Sequence, residues 1–120
     1  MPDSALLTHT NGGDLRSLRS LAVKCRRELE RSDWEGRCFP GECCGDAAEA
    51  LWDSLREGGF DAVLLEGKVD GRDHAWVGLR GSGTQVDISG DQFLNIPPVH
   101  IFQVDRRYVL DPGFEAWREV

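Results

Sequence analysis

The chain lacks an apolar run long enough to span a bilayer and lacks a charged-then-apolar leader of the secretory kind, so a soluble, cytoplasmic protein is expected. It has little positive charge to spare. Fourteen Lys and Arg stand against twenty-one Asp and Glu, a formal charge of −7 with the acids spread along the chain. Nucleic acid and anionic membrane are poor main partners for such a surface, because both require a basic, phosphate-neutralising face. The one basic cluster, Lys24, Arg26, Arg27 and Arg31, alternates with Glu28 and Glu30 and reads as a solvated helix face. Cysteine is absent after position 44, the four thiols being Cys25, Cys38, Cys43 and Cys44. A secreted disulfide framework would staple the whole chain, so reduced folding is expected; a Cys38 bridge to Cys43 or Cys44 stays open. Internal repeats and low-complexity tracts are also missing, and 120 residues suffice for one core.

What is present falls into two halves. Residues 1–13 show no periodicity and are expected to form a flexible N-terminal arm, with a single domain over 14–120. Asp14 is a helix N-cap, and Leu15, Leu18, Ala22, Cys25 and Leu29 place one apolar stripe on a helix to about Arg31. Cys25 on that stripe reads as a small buried thiol. Trp34, Gly36, Pro40 and Gly41 mark a loop. A second helix starts near Cys44, presents Ala47, Ala48, Leu51, Trp52 and Leu55, and stops at Gly58-Gly59. The period then changes to two: strands over 60–65, 73–79 and 84–88, with turns at Asp70-Gly71 and Gly81-Ser82-Gly83. After Pro97-Pro98 come an apolar run over 99–104 and a short piece at 108–110. The fold class is α+β, two N-terminal helices packed on an antiparallel sheet.

Three residues carry candidate chemistry. A thiol becomes a nucleophile as thiolate, and a helix N-terminus favours that anion through its unpaired N–H groups. Cys44 opens the second helix. His74, in His74-Ala75-Trp76-Val77, can take its proton, and Asp87, in Val86-Asp87-Ile88, can fix the ring tautomer. Backbone N–H groups around Cys44 can donate to a developing oxyanion. His74 stands farther from the glycine turn than Asp87 does, so a slip or bulge is expected to bring them level. Trp76 should share the sheet face of His74 and shield the imidazole, or serve only as core. The bland alternatives are a core thiol at 44, a structural histidine at 74 and a turn-capping carboxylate at 87.

This order of motifs resembles the transglutaminase-like branch of the papain-like cysteine enzymes. In that superfamily a Cys-x-Asp-x-Ala helix, a Gly followed by an apolar residue, a His-x-Trp-Val strand and an apolar-Asp-apolar strand follow one another. Cys44, Asp46 and Ala48 fit the first part, Gly59-Phe60 the second, His74 to Val77 the third and Val86-Asp87-Ile88 the fourth, over roughly residues 41–93. The spacing back from Gly59 and the alanine at 48 favour Cys44 as nucleophile, whereas Gly41-x-Cys43 favours its neighbour. Two departures matter: Gly45 stands where many relatives carry Trp, and every Gln (85, 92, 103) lies downstream of the thiol, so an upstream oxyanion glutamine is missing. The resemblance implies a compact papain-like core and a cysteine hydrolase or acyltransferase acting on a protein or peptide with an exposed amide. Glutamine deamidation comes first, peptide hydrolysis and transamidation being the other outcomes. It implies no metal or organic cofactor, and effector or toxin domains as the setting in which such scaffolds occur. A catalytically inactive acidic binding module of inhibitor or immunity type is the alternative. A zinc site from Cys38, Cys43 or Cys44 with His74 ranks lower, because no second paired Cys spacing exists.

Overall fold

The computed structural model describes residues 9–10, 13–36, 39–41, 43–114 and 117. Cys38, and with it the bridge left open above, lies outside them. So does most of the expected arm, although His9–Thr10 (β1) and Gly13–Asp14 (β2) pair as a two-stranded antiparallel ribbon. Asp14 then caps helix α1, Leu15–Glu30, its carboxylate accepting the Ser17 N–H at 2.8 Å. Leu18, Ala22 and Cys25 turn inward from α1. Helix α2, Cys44–Glu57, buries Ala47, Ala48, Leu51 and Leu55.

The remaining elements build one sheet: β3 (Ala62–Val69), β4 (Arg72–Leu79), β5 (Gln85–Asp87), a 3-10 turn η1 (Gly90–Gln92), β6 (His100–Phe102) and β7 (Tyr108–Leu110). The spatial order is β6-β5-β4-β3-β7, with every pair antiparallel. The first strand runs past the expected Leu65 to Val69, because Val69 pairs with Arg72 across a two-residue turn. Asp70 and Gly71 both take positive φ there (51° and 80°), as a twist-matched hairpin turn requires.

Outer strands of a flat five-stranded sheet would lie about 19 Å apart at normal strand spacing. Here the Phe102 ring of β6 is centred 4.5 Å from the Tyr108 ring of β7, so the sheet curls until its edges meet. Alternation along β4 then divides the interior in two. Val77 and Leu79 face α1 and α2, joined by Val86 and Ile88 of the neighbouring segment. Trp76 faces the hollow of the curl, with Leu65, Val69, Phe93, Phe102, Tyr108 and Trp117. His74, two residues before Trp76, shares that hollow side.

Arg26 does not belong to the solvated basic face. It is buried, and its guanidinium grips Asp91 bidentately at 2.6 and 2.8 Å, with further bonds to Glu30 (2.8 Å) and the Ile88 carbonyl (3.0 Å). A fork of this kind fixes orientation as well as distance. It clamps the segment that follows Asp87 onto α1, more than sixty residues away in sequence, and so holds the site from behind.

Candidate active site

The site begins with a helix end. Cys43 occupies the N-cap of α2 but gives no side-chain cap, so the first N–H groups of the helix are left for another acceptor. Cys44 is the first helical residue, half-buried, while Cys43 is 1 % exposed and turned into the protein. Of the two adjacent thiols, Cys44 is the one that lines a cleft with His74; Gly45, Glu66, Gly67, Asp73, Ala75 and Asp111 complete a lining around about 360 Å³.

His74 is buried, its side chain 0 % exposed, and its Nε2 lies 2.7 Å from Asp87 Oδ2. No slip or bulge brings them together. The β4–β5 register pairs Val77 with Val86 and Gly78 with Gln85, which sets Asp87 level with Trp76. His74 is the diagonal neighbour on the same face, and diagonal pairs are within reach of long or aromatic side chains. Trp76 lies nearly parallel to the imidazole, centroids 6.0 Å apart, and Phe93 meets it edge-on at 5.0 Å. These rings keep water off the imidazole.

Asp87 is 1 % exposed and fully engaged. Its Oδ2 accepts from Tyr108 Oη at 2.6 Å as well as facing His74, and its Oδ1 accepts the Ser89 N–H at 2.9 Å. The carboxylate therefore does cap a turn, and orients the histidine besides. Burial and the adjoining carboxylate push the Tyr108 hydroxyl far above its ordinary range, which leaves it a permanent donor. Gly90 is needed beside this cluster: a Cβ there would lie 2.6 Å from Asp87 Oδ2 and 2.7 Å from Tyr108 Oη.

With Nε2 committed to Asp87, Nδ1 is the nitrogen available to the thiol. The hydrogen bond with His74 is the largest influence on Cys44 and lowers its pKa from 9.0, against the opposing effect of burial; the Ala75 and Gly45 N–H groups add to the lowering. Burial works against the charged form of His74, but the bonds to Asp87 and Cys44 outweigh it and raise the pKa from 6.5 to about 9. Both shifts act in the same sense, favouring thiolate beside imidazolium. Gln92 is a further member that spacing did not reveal. Its Nε2 sits 3.5 Å from His74 Nδ1, 3.0 Å from the Ser89 carbonyl and 3.4 Å from the Pro40 carbonyl, tying the loop before α2 to the turn after β5.

The three residues chosen from sequence are thus gathered at one place. Tyr108, Gln92 and Arg26 join them from distant segments. Only Arg26 left a signal: it stands four residues after Ala22 and eight after Leu18, and a cation on an apolar stripe points to a buried ion pair. Among the described residues no three His, Cys, Asp or Glu side chains converge as metal ligands, and no helix is long and apolar enough to cross a membrane. No family model, curated protein or solved structure matches the chain.

Proposed function

We propose that the chain is a cysteine-dependent amide hydrolase with a compact papain-like, transglutaminase-like core, in which Cys44, His74 and Asp87 form the catalytic triad. The observation that carries this reading is the shared cleft of Cys44 and His74, with the imidazole's far nitrogen held by a buried carboxylate at 2.7 Å. The Cys44 thiolate attacks a carboxamide carbon, and N–H groups at the head of α2 and of Ala75 receive the developing negative charge. Imidazolium His74 gives its proton to the leaving nitrogen, so ammonia departs and a thioester remains. Water, deprotonated by the now neutral His74, attacks the thioester, releasing carboxylic acid and restoring the thiolate beside imidazolium His74. An amine in place of water gives transamidation through the same intermediate. The substrate class is a protein or peptide with an accessible side-chain amide, glutamine first, and no metal takes part in these steps.

Iodoacetamide at about pH 6, followed by mass mapping, tests the reading, because an ordinary thiol is almost wholly protonated there. Cys44 is expected to alkylate about a hundred times faster than Cys25, and His74→Ala should remove most of that advantage. Equally slow labelling of all the thiols would remove the enzyme reading and leave an acidic binding module.

A further inference from the structure

Charge around the thiol bears on which amides can enter, an inference that rests on the reading of Cys44 and His74 above. Among the described residues, the cleft that holds them is lined by Glu66, Asp73 and Asp111 and by no Lys or Arg. Asp73 is paired with Lys68 at 2.6 Å. The Glu66 carboxylate has no ion pair or hydrogen bond among the described residues, and Lys68, besides pairing with Asp73, lies within electrostatic reach of Asp111. Among the described residues Glu66 is exposed, and it is tied to Asp111 through its backbone carbonyl, which accepts the Asp111 N–H at 3.0 Å. A space of about 360 Å³ is roughly one Debye length across at physiological salt, so both carboxylates act on any charge brought to the sulfur. A second groove, lined by Ala48, Glu49, Leu64 and Leu65 and sharing Gly45, Glu66 and Ala75 with the first, offers mainly apolar contact.

We infer that the substrate is cationic: an amide-bearing segment with Lys or Arg beside the reacting residue, its positive charge placed between Glu66 and Asp111 and an apolar neighbour lying over Leu64. Like charge would be turned away at the same mouth. A cleft of one sign concentrates the opposite charge and raises encounter rates by about 10- to 1,000-fold at low salt.

Two methanethiosulfonate reagents of similar size and opposite charge, trimethylammonium-ethyl and sulfonatoethyl, test this on the full chain and need no identified substrate. Each rate at Cys44, read by mass mapping, is divided by the same reagent's rate with a small neutral thiol. The corrected cation-to-anion ratio is expected to be about ten at low salt, to fall as salt is added, and to approach one in the Glu66→Gln/Asp111→Asn double variant. A ratio near one in the unaltered protein, with Cys44 still reacting fast, overturns the cationic substrate and leaves the triad standing. A high ratio that survives both salt and the double variant also overturns it. Slow reaction with both reagents, unchanged by His74→Ala, removes the triad and the substrate class together.

Discussion

Asp87→Asn is expected to lower turnover of a glutaminyl peptide by about 10⁴-fold, the loss that a wrongly fixed histidine tautomer produces in serine triads. The size of the loss depends on which way the new amide must face. The Ser89 N–H donates to Oδ1 at 2.9 Å, so the asparagine oxygen stays there and its NH₂ takes the place of Oδ2, against His74 Nε2. A donor at that point requires Nε2 to be bare. The ring proton then moves to Nδ1, and the histidine can no longer accept the proton of Cys44. Tyr108 Oη loses its acceptor at the same atom. The residue change is nearly isosteric, so far-ultraviolet dichroism should be unaltered while ammonia release falls. A loss of less than about tenfold would mean that Asp87 serves only the Ser89 turn.

The second large effect separates the two adjacent thiols. Cys44→Ala should reduce ammonia release by about 10⁵-fold or to background, since deleting a nucleophile removes the covalent route altogether. Cys43→Ala should leave turnover within a few-fold and cost about 1–2 kcal/mol of stability, as loss of one buried side-chain atom group does. Cys43 is 1 % exposed and sits at the cap, outside the lining of the cleft, whereas Cys44 is part of that lining. The reverse outcome, activity lost at 43 and kept at 44, would move the nucleophile by one residue and contradict the geometry described above.

Local signals carry much of this architecture. Asp14 followed by a three-and-four spacing of apolar residues marks α1, and the change to period two after Phe60 marks the sheet. Cys44, His74 and Asp87 are legible because each stands at a recognisable place: a helix start and two neighbouring strands. Pairing of His74 with Asp87 is harder to read. Counting from the glycine turn treats them as residues that must lie level, whereas an imidazole spans the diagonal of an ordinary register. Tyr108 and Gln92 reach the site over 21 and 18 residues of chain. Their arrival depends on the curl of the sheet and on the turn at η1, and neither of these has a periodic signature. Arg26 reads as solvated with its basic neighbours only while the composition of the cluster outweighs its position on the stripe.

Coupling runs outward from these contacts. Arg26 grips Asp91, Asp91 adjoins Gln92, and Gln92 touches both the His74 ring and the loop before α2. The fold thus holds the ring by its rim (Asp87 on one nitrogen, Gln92 near the other) while Trp76 and Phe93 exclude water. Those contacts favour the charged imidazole that a thiol nucleophile, as proposed for Cys44, needs beside it.

The claim beneath all of this is that Cys44 rests as a thiolate beside a protonated His74. Titrating the ultraviolet thiolate absorbance of the native protein, with the Cys44→Ala curve subtracted, measures it directly. The expected result is a Cys44 midpoint below the ordinary value of 9.0 and a second, smaller inflection at about 9 as His74 loses its proton. A single midpoint at 9.0 or above, the same with or without His74, would contradict it.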